Sequence, residues 1–196
     1  MKKSRLEAFS DGVLAIIITI MVLELKVPHA PTLAALWPLW PTILSYLMSF
    51  VFIGIYWNNH HHLWQVVEQV NGAVLWANLH LLFWLSLVPF VTTWMGENHF
   101  AAVPVALYGC VLLGSGTAYY IMTRVLLASH APDSLLARAL GSDFKGRVSM
   151  LIYMLAIALA WNWPWLSGLL YAAVAVIWLV PDRRIERVLA PGARQS

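Results

Sequence analysis

RLEAFSDGVLAIIITIMVLEL, from Arg5 to Leu25, is the stretch that decides the fold of this chain. Between Gly12 and Leu23 it contains a single polar side chain, Thr19. Crossing roughly 30 Å of hydrocarbon takes about 20 helical residues, so the stretch predicts a membrane-spanning helix. A carboxylate at membrane depth is costly, and Asp11 at the mouth of the apolar run is unusual for a plain anchor. The pattern fits a helix that lines a narrow ion pathway.

The composition extends this interpretation to the whole chain. Of 196 residues, 61% are hydrophobic and only 11% are charged, whereas soluble domains are nearer half apolar and a quarter charged. We therefore predict an all-α, polytopic membrane protein. Its six transmembrane helices follow six apolar segments at about 8–25, 39–57, 74–95, 101–127, 147–161 and 165–180. The sequence leaves open whether the second continues as a helix past the histidines. The six-helix domain would span residues 1–182, and residues 183–196 would form a basic cytoplasmic tail.

The basic residues predict the orientation. If the chain crosses six times, Lys26 is the only one of 12 lysines and arginines that falls opposite the others. By the positive-inside rule, both termini are then cytoplasmic. The loop at about 128–146 is polar enough to be cytoplasmic, with a short surface helix. Membrane topology accounts for the net charge of +3, so we expect membrane lipid as a partner and no nucleic acid.

One face of the first helix is a candidate lining for an ion pathway. Gly12, Ile16, Thr19 and Leu23 are spaced by four, three and four, and Ile20 lies beside them, which places them on one face. Around the axis of a symmetric oligomer, apolar rings could gate by dewetting and a hydroxyl ring could offer oxygen ligands to a cation. Ordinary helix packing produces the same spacing, so spacing alone leaves both interpretations open.

Asp11 needs a partner from elsewhere. It lies about two turns into the helix, which excludes capping, and Glu7 four residues earlier repels it. Candidates lie in YWNNHHHLW, residues 56–64, and on the third segment. With both termini cytoplasmic, these groups lie toward the same leaflet. We expect a hydrogen-bonded cluster among Ser10, Asp11, His60, His61 and Asn78.

Catalytic and metal sites are not indicated. Three consecutive histidines point in three directions around a helix, so they cannot ligate one metal together. Cys110 is the only cysteine, which excludes a cysteine metal site or a disulfide within the chain. The sequence shows no nucleophile with its base, no phosphate loop and no haem site. We expect neither an enzyme nor a cofactor.

Three motifs resemble one family. R-x-x-x-F-S-D at residues 5–11 resembles the signature of the transmembrane protein 175 family of potassium channels. Y-W-x-x-H-H-x-L at 56–63 and an asparagine followed by L-V-P-F at 87–90 resemble the family's second and third helices. The motifs cover the first half of the chain. The signature and helix-base residues are Arg5, Phe9, Ser10, Asp11, Trp57, His60, His61 and Asn78.

The resemblance implies a prokaryotic, single-repeat member that assembles as a homotetramer in the plasma membrane. The family's pore is lined by the first helix and has no TVGYG filter. Its pore positions are here the constriction residues Ile16, Ile20 and Leu23 and the selectivity residue Thr19. Ala15 stands where some members have a serine, which implies weaker selectivity.

We therefore expect a homotetrameric, potassium-preferring channel that also passes other monovalent cations or protons. The alternative is a proton-coupled secondary transporter in which Asp11 and the histidines form a relay, because histidine titrates near neutral pH. A membrane enzyme or a structural membrane protein is a third option, and the missing catalytic constellation disfavours the enzyme.

Overall fold

The computed structural model describes residues 3–67, 69–132, 134–140 and 143–179. Every element in this part of the chain is helical. The predicted tail at 183–196 lies outside the described residues. The helices are α1 (Lys3–Leu23), a 3₁₀ helix (Leu33–Leu39), α2 (Trp40–Val66), α3 (Gly72–Ser86), α4 (Val88–Glu97), α5 (Ala102–Ala128), α6 (Leu135–Leu140), α7 (Phe144–Leu159) and α8 (Pro164–Leu179).

The helices confirm a polytopic, all-α membrane protein. Four segments are long and apolar enough to cross a membrane, namely Lys3–Leu23, Leu33–Val66, Gly72–Glu97 and Ala102–Ala128. With 16 residues each, α7 and α8 are shorter than the roughly 20 residues of a full crossing. Six crossings and cytoplasmic termini therefore stay predictions.

Two spans are defined more fully by the structure than by the sequence pattern. The apolar part of the second segment ends near residue 57, and α2 continues through the histidines to Val66, which is the extension that the sequence left open. The third span is two helices, because α3 ends at Ser86 and α4 begins at Val88 with Pro89 in its first turn. Proline is tolerated there because its missing N–H has no partner in a first helical turn. The short helix expected in the 128–146 loop is α6.

α1 lies on one side of the bundle, against α2, α3 and α4. α5 contacts α3, α4, α7 and α8, and α2 packs mainly against α4. Three buried hydroxyls join α2, α4 and α5: Ser49 Oγ lies 2.7 Å from Thr92 Oγ1 and 3.0 Å from the Tyr108 hydroxyl. Each of these three hydroxyls thus has a partner, which avoids the cost of an unpaired buried group.

Helix α4 approaches the backbone of α2 at Gly96. A Cβ atom there would lie 2.7 Å from Thr42 Cα and 2.5 Å from Ser45 Oγ. Small residues allow such close approach between membrane helices. The contact with Thr42 is to backbone, so it cannot be relieved by a change of rotamer.

We predict that Gly96→Ala destabilises the protein by about 1–3 kcal/mol, the usual cost of overpacking. Thermal unfolding of the purified protein in detergent should show a lower midpoint. The control is Gly54→Ala, where a Cβ would meet nothing within 4 Å. Equal midpoints for the two variants would contradict the close approach of α2 and α4.

Candidate ion pathway and helix-base network

Helix α1 has two distinct faces. Leu6, Ser10, Leu14, Ile17 and Met21 are buried against the rest of the chain. On the opposite face, the exposed fraction is 59% for Ile16, 43% for Ile20 and 76% for Leu23, and Thr19 is exposed as well. The four residues expected to line a pore therefore lie together on the face that the single chain leaves uncovered.

The Thr19 hydroxyl is oriented by its own helix. Its Oγ1 donates a hydrogen bond to the carbonyl oxygen of Ala15 at 2.9 Å. A hydroxyl has one donor and two acceptor lone pairs. Because the proton is used within the helix, the lone pairs are left on the exposed face. A hydroxyl held in this way can accept from water or coordinate a cation.

A buried chain of hydrogen bonds ties α1 to α2 and α3. Asn78 Nδ2 donates to Ser10 Oγ at 3.0 Å, and Ser10 Oγ donates to the Leu6 carbonyl at 2.9 Å. The Asn78 amide oxygen lies 2.8 Å from His60 Nε2. His60 and Trp64 are buried as fully as Ser10 and Asn78.

The direction of these bonds assigns the His60 tautomer. An amide that donates to Ser10 presents its oxygen to His60, so Nε2 must donate. Trp64 Nε1 lies 3.1 Å from Nδ1 and 2.7 Å from Nε2 of His60, and only Nδ1 is free to accept. The donors therefore run in one direction, from Trp64 through His60, Asn78 and Ser10 to the backbone of α1. We call this series the helix-base network.

A second polar group lies outside this network. Trp57 Nε1 donates to Asp11 Oδ1 at 3.1 Å, and the Trp57 ring stacks on His61 with ring centres 6.0 Å apart. His61 Nδ1 lies 3.3 Å from Glu7 Oε1. The structure thus divides the cluster expected from sequence into a buried group and a more exposed one. The partner of Asp11 in the structure is an indole on α2.

The remaining signature residues lie apart from both groups. Arg5 and Phe9 are exposed on the outward side of α1, and Phe9 is 52% exposed. Within the described part of the chain, no three metal-ligating side chains cluster. At the other end of α1, Lys26 pairs with Glu97. The hydrogen bond and charge of Glu97 raise the pKa of Lys26.

Sequence reasoning named Trp57 as a motif residue but not as a donor, and it did not name Trp64. Trp64 follows His60 by four residues, which places the two on one helical face. For Trp64, this spacing was a usable signal. Glu7 was considered only for its repulsion of Asp11, whereas it faces His61.

These features define a multi-span helical membrane protein whose first helix presents one face outward. Residues 5–89 match the family described as endosomal/lysosomal potassium channel TMEM175. The chain is 55% identical over 189 residues to a potassium channel of Chryseobacterium sp. (strain P1-3), covering 96% of this chain and 98% of that one. The chain belongs to the TMEM175 family.

A solved structure agrees with this assignment. The crystal structure of a lysosomal potassium-selective channel TMEM175 homolog from Chamaesiphon minutus superposes with a TM-score of 0.77 at 30% identity. The match covers 91% of this chain and 96% of that chain. The endosomal/lysosomal proton channel TMEM175 of Gallus gallus is 31% identical over 65% of this chain and 29% of its own length. The family and these relatives are channels, not enzymes.

We predict that Asn78→Leu strongly destabilises the protein. The change leaves His60 without its acceptor and Ser10 without its donor, and an unsatisfied buried group costs about 1–3 kcal/mol. Thermal unfolding in detergent measures the effect. The control is Asn98→Leu, because Asn98 is exposed and bonds only to its own helix. A midpoint for Asn78→Leu that equals the control's would show that the helix-base network contributes little to stability.

Proposed function

We propose that this protein is a potassium-preferring cation channel that works as a homotetramer in the prokaryotic plasma membrane, with both termini cytoplasmic. The observation that carries the proposal is the outward face of α1, where apolar side chains flank the Thr19 hydroxyl. The kinship with channels named for potassium supports the choice of ion. Four copies of α1 around a common axis would enclose a path lined by this face.

Each ring of side chains would have its own role in permeation. Ile16 would form the main apolar constriction, and Ile20 and Leu23 would continue it toward the far end of the helix. Narrow apolar rings oppose hydrated ions by dewetting. Thr19 would supply four hydroxyl oxygens to a partly dehydrated ion. Four hydroxyl oxygens supply a weaker field than stacked carbonyl rings do, so we expect modest selectivity for potassium. Ions would flow passively down their electrochemical gradient.

The helix-base network would determine which face of α1 meets the axis. Turning the helix by one residue rotates its faces by about 100°. Such a turn would remove Ser10 from Asn78 and move Thr19 off the pore. The buried bonds at the base therefore oppose rotation of the helix that would line the pore.

The comparisons give no support to the proton-coupled transporter. The family and the named relatives are channels. In addition, Asp11 bonds to Trp57 while His60 bonds to Asn78 and Trp64, so the carboxylate and the buried imidazole belong to separate groups. A relay through both would need a connection that the described residues do not form.

We predict that Ile16→Asn increases leak of potassium through reconstituted vesicles, because a polar ring wets the constriction. Flux into liposomes under a potassium gradient measures the effect. The matched control is Leu151→Asn on α7, since Leu151 is 62% exposed. Flux that is unchanged in Ile16→Asn, or raised equally in both variants, would show that α1 does not form the constriction.

We predict that Thr19→Ala lowers the ratio of potassium to sodium permeability by about two- to tenfold, the equivalent of one typical hydrogen-bonding group. Reversal potentials under a potassium/sodium gradient measure the ratio. Thr19→Ser keeps the hydroxyl and should retain most of the selectivity. If Thr19→Ala and Thr19→Ser both give the wild-type reversal potential, the hydroxyl layer does not select potassium over sodium.

A further inference from the structure

A small, partly open cavity lies away from α1, between α2, α5, α7 and α8. Its volume is about 50 Å³. By the same measure a single water needs about 10–15 Å³, so the cavity has room for about three to five non-hydrogen atoms. Three tyrosines, Tyr56, Tyr119 and Tyr153, line it together with Phe52 and Trp178. The cavity is not part of the channel mechanism proposed above.

Two of the tyrosine hydroxyls have no hydrogen-bond partner among the described residues. Tyr153 is only 3% exposed, and its ring packs against Phe52 and Tyr171. Tyr56 packs edge-on against Tyr119. Both hydroxyls belong to residues of the cavity wall. Their oxygen lone pairs are therefore open to a donor bound there.

Two other side chains of the cavity offer free acceptors, whereas the hydroxyls of Tyr119 and Ser149 and the Trp178 N–H already donate within the chain. Asn59 Nδ2 donates to the Ile55 carbonyl at 2.8 Å, which leaves the Asn59 amide oxygen for a donor. Asp143 caps α7 by accepting from the Gly146 amide with Oδ1 at 3.0 Å. Its Oδ2 has no partner in the described part of the chain. None of the described lining residues is basic.

A carboxylate, a free amide oxygen and several aromatic faces together favour a positive ligand. Aromatic rings attract cations by their negative faces, and rings arranged as a cage recognise substituted ammonium ions. We propose that this cavity, which we call the tyrosine pocket, binds a small organic ammonium ion. Asp143 and the tyrosine hydroxyls would accept from its N–H, and the rings would contact its methyl groups.

Gly116 is a position at which a larger side chain would fill the tyrosine pocket. A Cβ atom there would lie 3.8 Å from both the Tyr56 hydroxyl and Tyr153 Cε2, which is ordinary contact distance. A larger side chain at this position would extend into the space that the ligand needs. Gly168 on α8 is the matched control, because a Cβ there meets nothing within 4 Å.

The test is thermal unfolding of the purified full chain in detergent with increasing trimethylammonium chloride. The total chloride is held constant with potassium chloride. Trimethylammonium has four non-hydrogen atoms and one N–H, which suits the pocket. We expect a saturable rise of the midpoint for the wild type and for Gly168→Leu, and no rise for Gly116→Leu.

Two further variants separate binding from folding. Asp143→Asn removes the charge but keeps a good helix N-cap, and it should weaken trimethylammonium binding about tenfold or more. Tyr153→Phe removes an unpaired hydroxyl, so it should preserve stability without ligand and weaken binding. The absence of any midpoint rise in the wild type would overturn the proposal. An equal rise in all variants, or an equal rise with potassium chloride alone, would also overturn it.

Discussion

The buried hydrogen bonds that join α1 to α2 and α3 are the constraint on which the rest of the structure depends. The bond from Asn78 to Ser10 joins two fully buried side chains on different helices, so breaking it leaves both polar groups unpaired. Only one rotation of α1 satisfies it. That rotation also buries Leu14 and Ile17 and turns Ile16 and Thr19 outward.

The rest of the bundle provides a rigid support for this arrangement. α4 lies so close to α2 that only glycine fits at position 96. Ser49 bonds to both Thr92 and Tyr108 across three helices. Interiors packed in this way resist small displacements. α1 therefore lies against a closely packed support and has one face left exposed.

The sequence predicted much of this because its signals are local. Spacing along α1 placed Ile16 and Thr19 on one face, and the structure has them exposed together. The sequence left the end of α2 open because hydropathy falls at the histidines, whereas a helix continues as long as its backbone bonds form. The bond from Trp57 to Asp11 depends on the relative rotation of two helices, which no single helix encodes. An indole also counts as apolar in a hydropathy pattern, so its donor is easily overlooked.

The most direct test of the account is the solvent accessibility of the outward face of α1. Replacing Cys110 by serine gives a background without cysteine. In that background, Leu23→Cys can be compared with Leu169→Cys on α8, since the native leucines are 76% and 68% exposed. A charged, water-soluble thiol reagent should modify position 23 and block potassium flux, and it should leave position 169 unmodified in the lipid. Modification of position 169 without modification of position 23 would contradict a pore lined by α1.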